Sequence, residues 1–291
     1  MMNYEGQIYR PPSEAYSLIL QVSIGCSHNQ CSFCGMYKDK SFRLRKVEDI
    51  LRDLERVREV HPVVEKIFLA DGNALGIPTE ALEKILGEIR RLFPECKKVS
   101  AYSAPKDILR KSPEDLKKLN SLGLSMLYLG VESGSDKILR QVNKGVTPGE
   151  MMEAGERAKE AGFTLSVTVV SGLGGKDLWQ EHAWESAKVI NRIQPDYFAL
   201  LTLLVQEGTP LYDEVKKGTF QLLNPREVLL ETQKMIEGLD LEHTIFRSNH
   251  ASNYVALEGT LPRDKDSLLN KIEEAMEEAQ DYSFKESYRR L

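Results

Sequence analysis

Residues 17–34, Ser-Leu-Ile-Leu-Gln-Val-Ser-Ile-Gly-Cys-Ser-His-Asn-Gln-Cys-Ser-Phe-Cys, join an apolar run to three cysteines packed into nine residues. The run 17–23 has the continuous apolar character of a strand buried on both faces. Cys26, Cys31 and Cys34 follow as Cys-x4-Cys-x2-Cys in the loop after that strand. Loops of this kind carry the chemistry of α/β folds. Three thiolates at this spacing can wrap one small inorganic core. Most [4Fe–4S] clusters take four cysteine ligands. The fourth cysteine, Cys96, falls between the second expected helix and the third expected strand, on the opposite face, and reads as a small buried hydrophobe. One iron would then lack a protein ligand, and an open metal position is what a substrate-binding cluster needs. A structural zinc site, made of the same cysteines with His28 or His61, is the competing reading.

Outward from this loop the sequence alternates strand and helix. A helix is expected at 46–60, with Val47, Ile50, Leu51 and Leu54 on one face. The run 66–71 reads as a strand, 79–93 as a helix, and 98–103 as the third strand. Ser112-Pro113-Glu114-Asp115 announces the next helix by an N-cap with proline behind it. A fourth strand is expected at 125–131, and Thr147-Pro148-Gly149-Glu150 opens the helix after it. The fifth strand (164–171), a helix (178–193) and the sixth strand (196–203) complete the alternation. Six such units imply parallel strands joined by right-handed crossovers, as an open sheet or as a barrel short of eight repeats. Beyond 205 the pattern changes to two or three helices, at about 209–217, 225–239 and 264–280, around a polar stretch at 247–254. The fold class is therefore read as α/β, a partial (β/α)6 TIM-type barrel over residues 15–205, with 206–291 as a helical C-terminal cap rather than an independent domain.

The 291 residues carry 39 basic and 44 acidic side chains, a net charge of −5. That balance gives no global attraction to nucleic acid or to an anionic membrane surface. No apolar run approaches the roughly 20 residues that span a bilayer. The N-terminal Met-Met-Asn-Tyr-Glu-Gly-Gln lacks the charged-then-apolar pattern of a secretory signal. A cytoplasmic, reducing location is expected, where clustered cysteines bind metal rather than pair.

At the cysteine loop the sequence resembles the radical S-adenosylmethionine (SAM) superfamily, whose usual spacing is Cys-x3-Cys-x2-Cys with an aromatic before the third cysteine. Phe33 stands at that aromatic position, and the longer first gap is similar to that of the Elongator catalytic subunit and its relatives. The resemblance runs over roughly residues 15–205. It implies a [4Fe–4S] cluster on Cys26, Cys31 and Cys34 and an adenine beside Phe33. Asp71-Gly72-Asn73 ends the second strand where the family carries Gly-Gly-Glu, a motif that receives the SAM amino group. Asp71, or backbone carbonyls there, would take that role. Ser103 ends the third strand as a further candidate SAM contact, or as a hydroxyl bonded to nearby backbone. Glu132, in Gly130-Val-Glu-Ser-Gly134, matches a motif that touches the SAM ribose or methionine moiety. Lys144 stands where relatives place a basic residue near the SAM carboxylate, and Ser171 opens the turn Ser171-Gly-Leu-Gly-Gly175 that resembles the family's glycine-rich turn.

The activity implied by this resemblance is reductive cleavage of SAM to a 5′-deoxyadenosyl radical, which abstracts hydrogen from an unidentified substrate. It also implies a low-potential electron donor, a flavodoxin or ferredoxin. The polar cluster Arg247–Tyr254 either lines a substrate opening or staples its own loop. Met36 and Tyr37 either face the cluster or pack, and Arg43 and Arg45 either bind an acidic group or are solvated. Two other functions compete: a haem or tetrapyrrole chaperone built on the same scaffold, and the structural zinc protein.

Overall fold

The computed structural model describes residues 4–278 and Arg289. The expected alternation is present. The first half contains β1 (Leu18–Gln21), β2 (Ser23–Ile24), β3 (Arg43–Leu44), α1 (Val47–Val60), β4 (Lys66–Ala70), α2 (Thr79–Leu92), β5 (Lys98–Ser103), α3 (Pro105–Arg110), α4 (Pro113–Ser121) and β6 (Leu124–Glu132). The second half contains α5 (Asp136–Gln141), α6 (Pro148–Glu160), β7 (Thr164–Ser171), α7 (Gly175–Ile193), β8 (Tyr197–Thr202), α8 (Pro210–Lys217), α9 (Pro225–Glu237), β9 (Thr244–Ser248), β10 (Leu257–Leu261) and α10 (Lys265–Glu278).

The chain divides into two compact units. The first comprises Met1–Asn29, Met36–Leu129 and Ala154–Leu165. In it β1, β4, β5 and β6 pair in parallel, with Leu20 opposite Leu69 and Leu69 opposite Ala101. Leu20, Phe68, Leu69, Ala101 and Leu127 are fully buried, as the residues of interior parallel strands are. α1 and α2 are neighbours, and each buries the apolar stripe that predicted it, with Ile50, Leu54, Leu82 and Ile85 buried. The expected strand at 17–23 is split. The Val22 amide still bonds Ala70, but its carbonyl accepts from Arg45, so the chain leaves β4 there and pairs antiparallel with β3.

The second unit comprises Gln30–Gly35, Gly130–Glu153 and Ser166–Leu291. β7, β8 and β9 are parallel, and β10 returns antiparallel on β9. Three helices lie beyond 205 where two or three were expected, the end of the last expectation, 279–280, lying outside the described residues, and α9 packs against α7 and α10. Asn224 and Glu227 form a reciprocal capping box at the start of α9. The polar stretch, however, lies between two strands that its composition did not announce. Phe246 is fully buried in β9 while Arg247 is exposed. No helix among the described residues is long and apolar enough to cross a membrane.

Candidate metal and cofactor site

In the first unit the strand ends and the cysteine loop are fastened by one buried carboxylate. Asp71, at the end of β4, is fully buried, and its Oδ2 accepts from Lys40 Nζ (2.8 Å), Gln21 Nε2 (3.2 Å) and the Gly25 amide (3.2 Å). Lys40 is itself nearly buried, with its side chain 5% exposed. Gly25 sits at φ +73, a left-handed conformation that a side chain would strain. Beside it, a Cβ on Gly72 would stand 3.0 Å from both the Cys26 Cβ and the Tyr37 ring, so the chain passes directly behind Cys26. Asn73 places its Oδ1 3.5 Å from the Cys26 sulfur, while its amide nitrogen donates to Ser27 Oγ (2.6 Å) and Asp107 Oδ2 (2.8 Å). Burial raises the carboxyl pKa of Asp107. The Ser103 hydroxyl donates to the Tyr128 carbonyl at 3.3 Å, the backbone alternative expected for it.

In the second unit, residues 30–35 are tied down at three points. The Ser32 amide bonds Val142 (2.9 Å), the Ser32 carbonyl accepts from Leu211 (3.0 Å), and the Gly35 amide bonds Gln206 Oε1 (2.7 Å). Phe33 packs on an apolar cluster that includes Ile138, Val170, Leu173 and Leu203. Cys31 and Cys34 are joined by a 3.4 Å backbone bond. Glu132, at φ +62, accepts from Lys144 Nζ at 2.9 Å, and both side chains are largely shielded. Gly130 permits that pairing, because a Cβ there would strike Glu132 Oε1. Next to it, Ser133 bonds His182 Nδ1 (2.8 Å), whose Nε2 faces the Val170 carbonyl (3.0 Å). Burial lowers this imidazole's pKa to about 4, so it is neutral at physiological pH.

Ser171 and the Gly172 amide both donate to Oε2 of Glu231 on α9. Glu231 is fully buried, and burial raises its pKa to about 8 against those two hydrogen bonds. Sequence reasoning passed over Glu231, Lys40 and His182. The signal for Glu231 was a carboxylate inside the apolar stripe Val228, Leu229, Thr232, Met235, Ile236. Between the ordinary carboxylate value of 4.5 and about 8 the native state retains this proton and the unfolded chain does not. Stability carried by this group therefore falls as pH rises through that window, by at most about 1.4 kcal/mol per unit. His182 acts in the opposite sense, adding stability as pH rises from about 4 to 6.5. Glu231→Gln is expected to flatten the alkaline fall in urea-unfolding stability, and an unchanged slope would refute it.

The remaining candidates are engaged locally. Arg43 pairs with Glu5, and Arg45 with Asp53 at 2.7 Å. Tyr37 packs edge-on against Tyr9. The Cys96 sulfur lies 3.5 Å from the Lys98 carbonyl, and burial raises its thiol pKa. Asn253 is held by Thr202 Oγ1, the Leu200 carbonyl and Ser248 Oγ, so the 247–254 stretch is stapled to its own unit. Tyr254 nevertheless lines a cavity of about 190 Å³ together with Ser171, Gly172 and Thr202.

Cys26, Cys31 and Cys34 are half-buried thiols outside any disulfide. Among the described residues no group of three or more His, Cys, Asp and Glu side chains is already assembled to hold a metal ion. Thiolate loops are gathered and deprotonated by the metal they bind, and an all-thiolate donor set suits an iron–sulfur cluster.

Residues 20–188 match the radical SAM superfamily, more than half of the chain, and the protein belongs to that superfamily. Its members bind a [4Fe–4S] cluster and SAM, and these are the cofactors assigned here. More particularly, the chain is similar to the heme chaperone HemW of Bacillus subtilis, at 24% identity over 218 residues covering 72% of this chain and 56% of that protein. It is similar to the ribosomal protein uS12 methylthiotransferase RimO of a Thermoanaerobacter species, at 23% identity over 250 residues, covering 81% and 55% of the two chains. Among solved structures, coproporphyrinogen III oxidase (HemN) from Escherichia coli superposes with a TM-score of 0.56 at 18% identity, covering 76% of this chain and 51% of that one. That likeness establishes the mixed α/β, partial TIM-barrel fold. The chain spans about half the length of these curated relatives.

Proposed function

We propose that this chain is a radical SAM enzyme in which Cys26, Cys31 and Cys34 hold the cluster and leave one iron for SAM. The observation that carries the reading is the three-thiol loop inside the superfamily match, with Cys96 engaged elsewhere. When bound, the cluster and SAM supply one-electron cleavage of the sulfonium and hydrogen abstraction from a substrate carbon. The protein's part is to orient these groups and exclude water. Phe33 offers an aromatic face for the adenine. Glu132 and Lys144 offer a paired acid and base for the ribose and the amino-acid moiety. Gly72 lets the chain pass close behind Cys26, and Asn73 sets an amide beside its sulfur. Asp71, fully engaged on one oxygen, serves by holding the loop, which leaves the SAM amine to backbone carbonyls near 72–73. Residues 15–205 carry the catalytic core, and the chain beyond 205 adds α8, α9, β9, β10 and α10, with β9 pairing on β8. A low-potential flavodoxin or ferredoxin supplies the electron, and the requirement for a reducing milieu supports a cytoplasmic site of action.

The likeness to HemW supports a second reading, a tetrapyrrole-handling protein with little SAM turnover. Anaerobic reconstitution followed by dithionite and SAM separates the two. The enzyme reading expects 5′-deoxyadenosine in excess of cluster. A bound cluster without cleavage, together with haem binding, would replace it by the second reading. Zinc without iron or sulfide would sink both.

A further inference from the structure

Asp107 links a solvent-facing cavity to Cys26 through a single side chain. The cavity, of about 250 Å³ in the first unit, is lined by Asp107 together with Glu80, Arg110, Lys111 and Asp115, and Glu80 and Arg110 are exposed there. Asp107 itself is 3% exposed. Its Oδ2 accepts from Asn73 Nδ2 at 2.8 Å, and the same nitrogen donates to Ser27 Oγ at 2.6 Å. The other end of that amide, Oδ1, is thereby turned to Cys26 and accepts from its thiol at 3.5 Å.

An amide has a donating end and an accepting end, and its partners decide which way it points. An ionised carboxylate only accepts, so a charged Asp107 obliges the Asn73 oxygen to face the sulfur. That suits a thiol, which donates. It does not suit a thiolate, the form in which cysteine ligates metal, because two acceptors then face each other. A protonated Asp107 reverses the arrangement: its O–H and the Ser27 hydroxyl can both donate to Asn73 Oδ1, and the amide N–H turns to the sulfur. We propose that Asp107 is a positioning residue for the cluster, and that its protonation decides whether Asn73 presents an oxygen or an N–H to the Cys26 sulfur. The inference rests on the cluster reading above. Hydrogen bonds to the sulfurs help set a cluster's potential, and an N–H there favours the more negative, reduced state. Reduction by one electron from the titrant therefore draws one proton from solvent onto Asp107. Burial favours the neutral acid, and Arg110 at 3.8 Å and Lys111 oppose it. The carboxylates of Glu80 and Asp115, which line the same cavity, act with burial.

The test is a potentiometric titration of the cluster-loaded full chain with dithionite, without SAM, read by electron paramagnetic resonance across the pH range in which the chain stays folded. The parent's midpoint is expected to fall as pH rises, by about tenfold or more in the reduction equilibrium, the worth of one hydrogen bond to a charged group. Tenfold is about 59 mV for a one-electron couple. Asp107→Asn is neutral at every pH and can still donate to Asn73, so it should hold the parent's acid-limit potential throughout. Asn73→Leu removes the amide, and its potential should be flat with pH and about tenfold below that limit. A parent whose potential does not change with pH overturns the inference. So does a pH dependence that survives in either variant, or an Asn73→Leu protein that sits at the acid limit. If one variant sheds its cluster, the other decides. A parent that retains no iron and sulfide would instead sink the cluster reading.

Discussion

Alanine at Cys26, Cys31 or Cys34 is expected to abolish cluster retention and to lower 5′-deoxyadenosine formation by more than about 100-fold, whereas Cys96→Ala should leave both within about twofold. The lower bound follows because changes to residues that merely orient metal ligands already cost about 10–100-fold, and these variants remove a ligand outright. A cluster with three protein ligands has none to spare. Cys96 differs in its chemistry as well as in its place. Its amide bonds Phe93 (2.9 Å), its sulfur faces the Lys98 carbonyl, and burial keeps the thiol protonated. The thiolate is the form that ligates metal. Iron and sulfide per chain after anaerobic desalting, with product counted under dithionite, make the comparison. Equal loss in Cys96→Ala would mean that the cluster has four cysteine ligands and no vacant iron, and the proposed chemistry would fail with it.

Strands such as β4 and β7 were legible because most of their residues are buried on both faces and so read as nearly continuous apolar runs. β5 and β7 fall at the expected residues, Lys98–Ser103 and Thr164–Ser171. β9 and β10 were not legible. Their burial follows short patterns in which only alternate or terminal residues are covered, and β9 owes its place to pairing with β8, some 48 residues earlier. α5 was missed for a different reason: six residues leave too little periodicity to read, even with Ser135 as a bonded N-cap. The site divides along the same line. The thiols, Phe33, Glu132 and Ser171 were visible because they sit in local motifs at strand ends. The partners that set their properties lie far along the chain, Lys40 31 residues from Asp71 and Glu231 60 residues from Ser171. A local window can name a carboxylate; it cannot say what covers it.

Lys40→Met is expected to destabilise the chain by about 3–5 kcal/mol, the cost of leaving one member of a buried ion pair without its partner. Methionine keeps most of the lysine stem's volume, so packing changes little. What changes is the surroundings of Asp71. Its Oδ2 would retain only two neutral donors, Gln21 Nε2 and the Gly25 amide, each at 3.2 Å, while its Oδ1 has no partner among the described residues. Coupling distinguishes orphaned charge from lost packing. If the charge is the cause, Lys40→Met with Asp71→Asn should recover all but about 1–2 kcal/mol, since a neutral amide at that depth no longer needs a cation. If packing is the cause, the double variant will be no more stable than the single one. Urea unfolding near neutral pH measures both. The functional consequence follows from position, because Gly25 and Lys40 bracket the loop that carries the thiols and Asp71 ties both of its ends. Lys40→Met should therefore shed iron on desalting even at temperatures where the chain stays folded, and the double variant should regain it along with stability. A Lys40→Met protein as stable as the parent would show that this buried pair contributes nothing, and that the loop is held by its backbone alone.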